Sequence, residues 1–203
     1  MKKNQDTSIK KRILKAARKQ FFTFGYSRST MDELAIELQM SKKTLYQFFK
    51  SKQLLLESVI YDFFQELNEK IDEIVKLKDG SKNRVDTLKH FLSLIQSQIS
   101  QLNVYAFEDI RKNNPEAWQT IGNLREKMLN NKLRELLKQG KKEGTVRKDI
   151  DLDIIVLTIL NTVQYVATPE VISRFSYSTE EIIEMIAKIF MFGILTPENM
   201  INT

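Results

Sequence analysis

Apolar residues recur along this chain at steps of three and four, the spacing that lines one face of an α-helix, and little interrupts them. Ile9, Ile13, Ala16, Ala17, Phe21 and Phe24 form one such stripe; Leu56, Ile60, Phe63, Leu67, Ile71 and Ile74 form another. Six Gly and three Pro are spread over 203 residues, too little punctuation for the tight turns of an all-β fold. The chain is therefore read as all-α, with about nine helices. Its 42% hydrophobic content is enough to bury a core.

The first 52 residues carry their own stops and starts. The stripe that begins near Ser8 ends at Gly25, which can take positive φ, so that Tyr26 folds back on Phe21 as in a Schellman ending. Thr30-Met31-Asp32-Glu33 is a capping box and predicts a second helix to about Gln39. Ser41 caps a third, with Met40 placed to staple onto Leu45. Two helices meeting across so short a turn have helix-turn-helix spacing. Ser51 opens a fourth helix, a rod of roughly 40 Å to about Lys78.

Asp79-Gly80-Ser81 breaks that rod, and a fifth helix carries Leu88, Phe91, Leu92, Ile95 and Ile99. Asn113-Asn114-Pro115 marks the next break, with Pro115 suited to the first turn of a helix that runs to about Lys142 and ends before Gly144. Asp149-Ile150-Asp151 opens the penultimate helix, Leu152 to Ala167, apolar on almost every side and expected to be buried all round. Thr179 begins the last, with Ile182, Ile186, Ile189 and Gly193 in line.

Charge divides the chain. Residues 1–52 hold 13 Lys+Arg against 4 Asp+Glu, a net of +9, whereas residues 53–203 hold 19 against 22, a net of −3. A short basic segment joined to a mildly acidic body suggests nucleic acid at one end. With no Cys there is neither a disulfide nor a thiolate metal site, which fits a cytoplasmic protein. No apolar run approaches the roughly 20 residues of a membrane span, and the basic, polar N-terminus lacks the apolar segment of a secretory signal. No membrane partner is expected.

In the third helix Leu45, Phe48 and Phe49 share one face, which puts Lys43 and Gln47 opposite, flanked by Thr44 and Tyr46. Lys42 stands beside the free N–H groups of the helix start, a natural phosphate site. Lys suits guanine, Gln can bond adenine twice, and Thr offers a hydroxyl and a methyl for thymine.

The run Ile13-Leu14-x-Ala16-Ala17-x-x-x-Phe21-x-x-x-Gly25-Tyr26, then Ser29-Thr30-Met31-x-x-Leu34-Ala35, then Ser41-Lys42-Lys43-Thr44-Leu45-Tyr46-x-Phe48-Phe49-Lys50-Ser51-Lys52-x-x-Leu55 resembles the DNA-binding domain of the TetR family. The resemblance implies phosphate contact from Thr30, Tyr46 and Lys52. It implies base-edge or nearby contact from Lys42, Lys43, Thr44 and Gln47, with Ser41 among the DNA-contacting set at the helix start. The family usually has Gly where this chain has Gln39, so the turn either avoids positive φ or bears its cost.

The same resemblance implies a helix-turn-helix domain over residues 1–52 and a helical ligand-binding and dimerisation domain over 53–203. Its implied partners are double-stranded, roughly palindromic operator DNA, a small, mostly apolar effector that releases a repressor from that DNA, and a second copy packed through the last two helices. Phe63, Phe64, Phe91, Tyr105, Phe107, Trp118, Met128, Asn161, Gln164 and Tyr165 lie on helices that would surround a ligand cavity. Of these the candidates retained are Phe63, Phe91, Tyr105, Trp118, Asn161, Gln164 and Tyr165; amides on a nearly apolar helix need a partner.

His90 is the lone His, with no Cys or second His for a metal site, and no catalytic arrangement, metal site or cofactor motif is read. Two other readings stay open on the residues alone: a sequence-tolerant architectural DNA-binding protein, since basic charge gives non-specific affinity, and a helical enzyme or carrier.

Overall fold

The computed structural model describes residues 2–76, 84–100, 103–166, 171 and 174–195. Nine helices lie within them: α1 Lys2–Phe24, α2 Met31–Glu37, α3 Lys42–Phe48, α4 Lys52–Lys76, α5 Arg84–Ser100, α6 Val104–Asn113, α7 Pro115–Glu143, α8 Leu152–Val166 and α9 Thr179–Ile194. The expected break at Asp79-Gly80-Ser81 and the expected helix ends at Lys78 and Ala167 lie outside the described residues. α1 starts at Lys2 rather than near Ser8, because no Gly or Pro between them interrupts a run of adequate helix formers. The apolar spacing did not separate α6 from α5. Asn103 does so, its Oδ1 accepting from the amides of Tyr105 at 2.9 Å and Ala106 at 3.3 Å.

Packing divides the chain into two units, Met1–Glu66 with Leu102–Leu124, and Leu67–Gln101 with Arg125–Thr203. In the first, Ile13, Ala17 and Phe21 of α1, Leu34 and Ala35 of α2 and Leu45 of α3 are buried in one cluster. Leu55, Leu56, Val59 and Ile60 of α4, Ile110 of α6 and Ile121 of α7 complete it. The packed unit thus continues well past Lys52. Phe22 meets Phe63 edge-on at 5.6 Å and Phe107 at 4.9 Å, and Arg18 pairs with Glu66 at 2.7 Å.

In the second unit α5 packs against α9, and Ile71, Leu88, Phe91, Leu133, Leu136, Leu137, Val156 and Leu195 are among its buried residues. Ion pairs join Lys132 to Asp72 and Arg134 to Asp153. Ser178 and Glu181 form a capping box at the start of α9. α8 departs from expectation. It is not buried all round: Ile155, Val156 and Ile159 face inward, while Ile154, Leu157 and Tyr165 are exposed. The periodicity of an entirely apolar helix cannot distinguish a core-facing stripe from one left for another surface.

Two helix ends in the first unit use the left-handed region. Gly25 has φ +98° after α1, and Tyr26 packs on Phe21 at 5.6 Å as the sequence predicts. Gln39 has φ +55° after α2. The Met40 amide donates to Ala35 O at 3.0 Å and the Gln39 amide to Ile36 O at 3.0 Å, the paired bonds of a Schellman ending. The turn therefore bears the cost of positive φ rather than avoiding it. A Cβ on Gly25 would sit 3.0 Å from Asp109 Oδ2. Gln39→Gly is expected to stabilise the protein by about 0.5–1 kcal/mol, since a side chain in this region costs roughly 1–2 kcal/mol and glycine gives some of that back in chain entropy. Gly25→Ala should destabilise it by about 1–3 kcal/mol; denaturant unfolding of both variants checks the opposite signs.

Candidate DNA-binding surface

α3 has seven residues, too few to persist alone in water. Two interactions hold it. Leu45 is fully buried in the first-unit core, a contribution of about 2 kcal/mol. Ser41 caps the helix, its Oγ accepting from the Thr44 amide at 3.0 Å, a contribution of about 1 kcal/mol. Lys42 Nζ pairs with Asp32 Oδ2 across the turn at 2.5 Å, but both side chains are exposed and such pairs contribute little. Burial sets the position of α3 and the cap sets its start.

With Leu45 inward and Phe49 buried beyond the helix end, Lys42, Lys43, Tyr46 and Gln47 are exposed together. Thr44 is half-buried, and its Oγ1 lies 2.8 Å from Ser41 Oγ. Thr30 is exposed at the start of α2; its Oγ1 accepts from the Glu33 amide at 3.1 Å, and Glu33 Oε2 accepts from the Thr30 amide at 3.0 Å. Lys52 is half-buried, its ammonium 4.2 Å from the centroid of the Tyr26 ring. Burial pushes the Lys52 pKa down, against the opposing charges of Asp109 and Glu33. Lys42, Lys43, Tyr46 and Gln47 thus give α3 an exposed face of cations, phenol and amide, the groups that contact phosphates and base edges in a groove.

α6 holds the loop behind this surface, a role the sequence did not reveal. Asp109 Oδ2 accepts from the Ser27 amide at 2.7 Å, and its Oδ1 accepts from Asn113 Nδ2 at 2.7 Å. Burial alone would raise the Asp109 pKa, yet the hydrogen bonds from Ser27 and Asn113 and the charge of Lys52 hold it below the usual carboxylate value. Asn103 Nδ2 donates to Thr23 O at 3.0 Å, and its amide donates to Phe22 O at 3.2 Å. Inside the loop, Ser29 is buried and its Oγ donates to Gly25 O at 2.7 Å. Separations of some 80 residues leave no periodic trace, so pattern reading could not find Asp109 or Asn103.

Residues 13–59 match the family model described as bacterial regulatory proteins, tetR family, and residues 56–193 match that described as YsiA-like protein, C-terminal region. The chain belongs to the TetR family. The HTH-type transcriptional regulator YvaF of Bacillus subtilis (strain 168) is 28% identical over 188 residues, covering 93% of this chain and 96% of that one. The fatty acid metabolism regulator protein of the same organism is 23% identical over 184 residues, covering 90% and 93%. The structure of FadR from Bacillus subtilis in complex with stearoyl-CoA superposes with a TM-score of 0.68 at 22% identity, covering 90% of this chain and 97% of that one. This TetR-family chain is a DNA-binding transcriptional regulator and not an enzyme.

The residues considered for a TetR-family ligand site are divided between the two packed units. Phe63 and Trp118 pack half-buried against the first-unit core, and Tyr105, at the start of α6, is 73% exposed. In the second unit Phe91 is buried, whereas Asn161 and Tyr165 lie on the exposed face of α8. The partner that Asn161 needs is in its own helix, where its Nδ2 donates to Leu157 O at 2.8 Å. Gln164 belongs to α8, but its side chain lies outside the described residues. Among the described residues no group of three or more His, Cys, Asp or Glu is placed to hold a metal ion, and no helix is long and apolar enough to cross a membrane.

Proposed function

We propose that the chain is a cytoplasmic repressor that binds a palindromic operator as a homodimer and leaves it when a small, mostly apolar effector binds. The observation that carries this reading is the exposed face of α3, where Lys43 and Gln47 stand opposite the buried Leu45. In it, Lys43 and Gln47 read base edges; Thr30, Tyr46 and Lys52 contact phosphates. Lys42, Ser41 and Thr44 place the start of the helix, with Lys42 exchanging Asp32 for DNA. Against a duplex recovered by selection from random sequence, Gln47→Ala should cost about 1–3 kcal/mol and relax preference at one base pair. Tyr46→Ala should weaken binding to selected and random duplexes alike. Equal losses on both kinds of DNA for both variants would remove the base-reading role from Gln47.

Dimerisation through α8 and α9 is supported by apolar side chains that one protomer leaves in water. Ile154, Leu157 and Tyr165 on α8, and Met185, Ile189 and Phe192 on α9, are all exposed. Those on α9 stand at three- and four-residue steps, and on α8 Leu157 and Tyr165 lie two such steps apart with exposed Asn161 between them, so each helix presents a stripe and not scattered positions. Ile159 is buried within the protomer and Ile186 is half-buried, so neither is a clean probe of the seam. Ile189, 70% exposed, is one. Ile189→Glu should shift the protein to monomer in sedimentation at micromolar concentration with its circular dichroism unchanged, because a charge tolerated in water is costly when buried. A wild-type monomer at that concentration would count against the interface.

The effector is taken to be a long acyl chain or its thioester, bound among the helices that follow α3. Support comes from the fatty acid metabolism regulator among the relatives and from stearoyl-CoA in the FadR complex. α4 starts at Lys52, directly after the reading helix, and continues as one helix to Lys76. A tilt of α4 would move the reading helices, and two heads matched to half-sites lose contacts together. Release follows only if the effector prefers the arrangement that does not fit DNA. With stearoyl-CoA as probe, duplex affinity should fall about 5- to 150-fold, and the duplex should weaken stearoyl-CoA binding by the same factor. Tight stearoyl-CoA binding with unchanged duplex affinity would exclude it as the inducer.

A further inference from the structure

α1 carries positive charge that neither its packing nor the α3 surface uses. The matched DNA-binding segment begins at residue 13, whereas the helix begins at Lys2. Between Lys2 and Lys15 there are six cations, Lys2, Lys3, Lys10, Lys11, Arg12 and Lys15, against one acid, Asp6. The first turn of α1 contains no acidic residue. Cations at a helix N-terminus oppose the helix dipole, and like charges four apart, as at Lys11 and Lys15, repel. This arrangement works against the helix in isolation and is relieved by an external polyanion.

Geometry places the charge beside the reading unit. Arg12 Nη2 donates to Leu38 O at 3.1 Å, at the end of α2. Lys10 Nζ lies 5.8 Å from the Phe49 ring centroid, at the end of α3. These contacts fix α1 against both helices of the motif. Thr7, Ser8, Lys11, Arg12 and Lys15 line a shallow hollow of about 500 Å³ on its outer side. All five are exposed, and among the described residues Lys11 and Lys15 have no ion-pair partner. Their positions are about 6 Å apart along the helix axis.

We propose that this stripe of α1 is a second DNA-contact surface, holding backbone phosphates in addition to those met at α3. The proposal rests on the DNA-binding reading and assigns no base recognition to α1. Lys11 and Lys15 supply the charge, the Ser8 hydroxyl can donate to a phosphate oxygen, and Arg12, held on Leu38 O, keeps the stripe in register with the motif. Phosphate contacts release counterions, so the surface should show itself in the salt dependence of binding more than in sequence preference.

The test uses full-length protein and a fluorescent random-sequence duplex, titrated across a range of NaCl concentrations. The variant K11Q/K15Q is compared with K138Q/K142Q, which removes the same charge from exposed positions of α7 in the second unit. For K11Q/K15Q the slope of log affinity against log salt should shrink by about 1–2, with binding about tenfold weaker near physiological salt. K138Q/K142Q should keep the wild-type slope, and both should keep wild-type circular dichroism. An unchanged slope in K11Q/K15Q, or the same decrease in both variants, would overturn the proposed surface while leaving the α3 reading intact. A wild-type protein without salt-dependent duplex affinity would overturn the DNA-binding reading and this surface with it.

Discussion

The burial of Leu45 is the contact on which the exposed face of α3 depends. A seven-residue helix has no stability of its own, and its exposed face is useful only if it is presented in one orientation. Leu45 anchors α3 in a core built from α1, α2, α4, α6 and α7, and Phe49 continues that anchor past the helix end. The surface ion pair of Lys42 with Asp32 and the Ser41 cap refine the geometry, but they act on a helix that burial has already placed. The polar groups on the outer face are thereby spared from structural duty.

The second constraint is the attachment of α6 to the α1–α2 loop. Gly25 must take positive φ, and the absent Cβ leaves room for the Asp109 carboxylate that receives the Ser27 amide. Asn103 fixes the end of α1 from the other side while capping α6. A helix drawn from the middle of the chain thus belongs to the packed unit that carries α3. α4 and α7 each contribute residues to both packed units without a break in the helix.

Much of this was legible in residue pattern. Caps at Thr30 and Ser41, the stop at Gly25 and the inward face of Leu45 are local signals with local causes, and the structure places them as read. α8 was misread because a helix apolar all round says that its faces are covered without saying by what; one face packs in the protomer and another does not. The Asn161 amide was expected to need a partner elsewhere, and a carbonyl one turn back satisfies it.

The sequence by itself determined the helical class, the start or stop of several helices, the basic character of the first 52 residues and the side chains offered by α3, because all of these follow from periodicity, capping chemistry and charge within a few turns of chain. Only the tertiary structure decided that Gln39 would bear positive φ, that Asp109 and Asn103 would hold the end of α1 and the loop after it, and that Ile154, Leu157 and Ile189 would face outward while Ile159 faced in. Those outcomes depend on contacts between residues far apart in the chain, where the energy of packing and hydrogen bonding overrides local preference and leaves no mark in the order of residues.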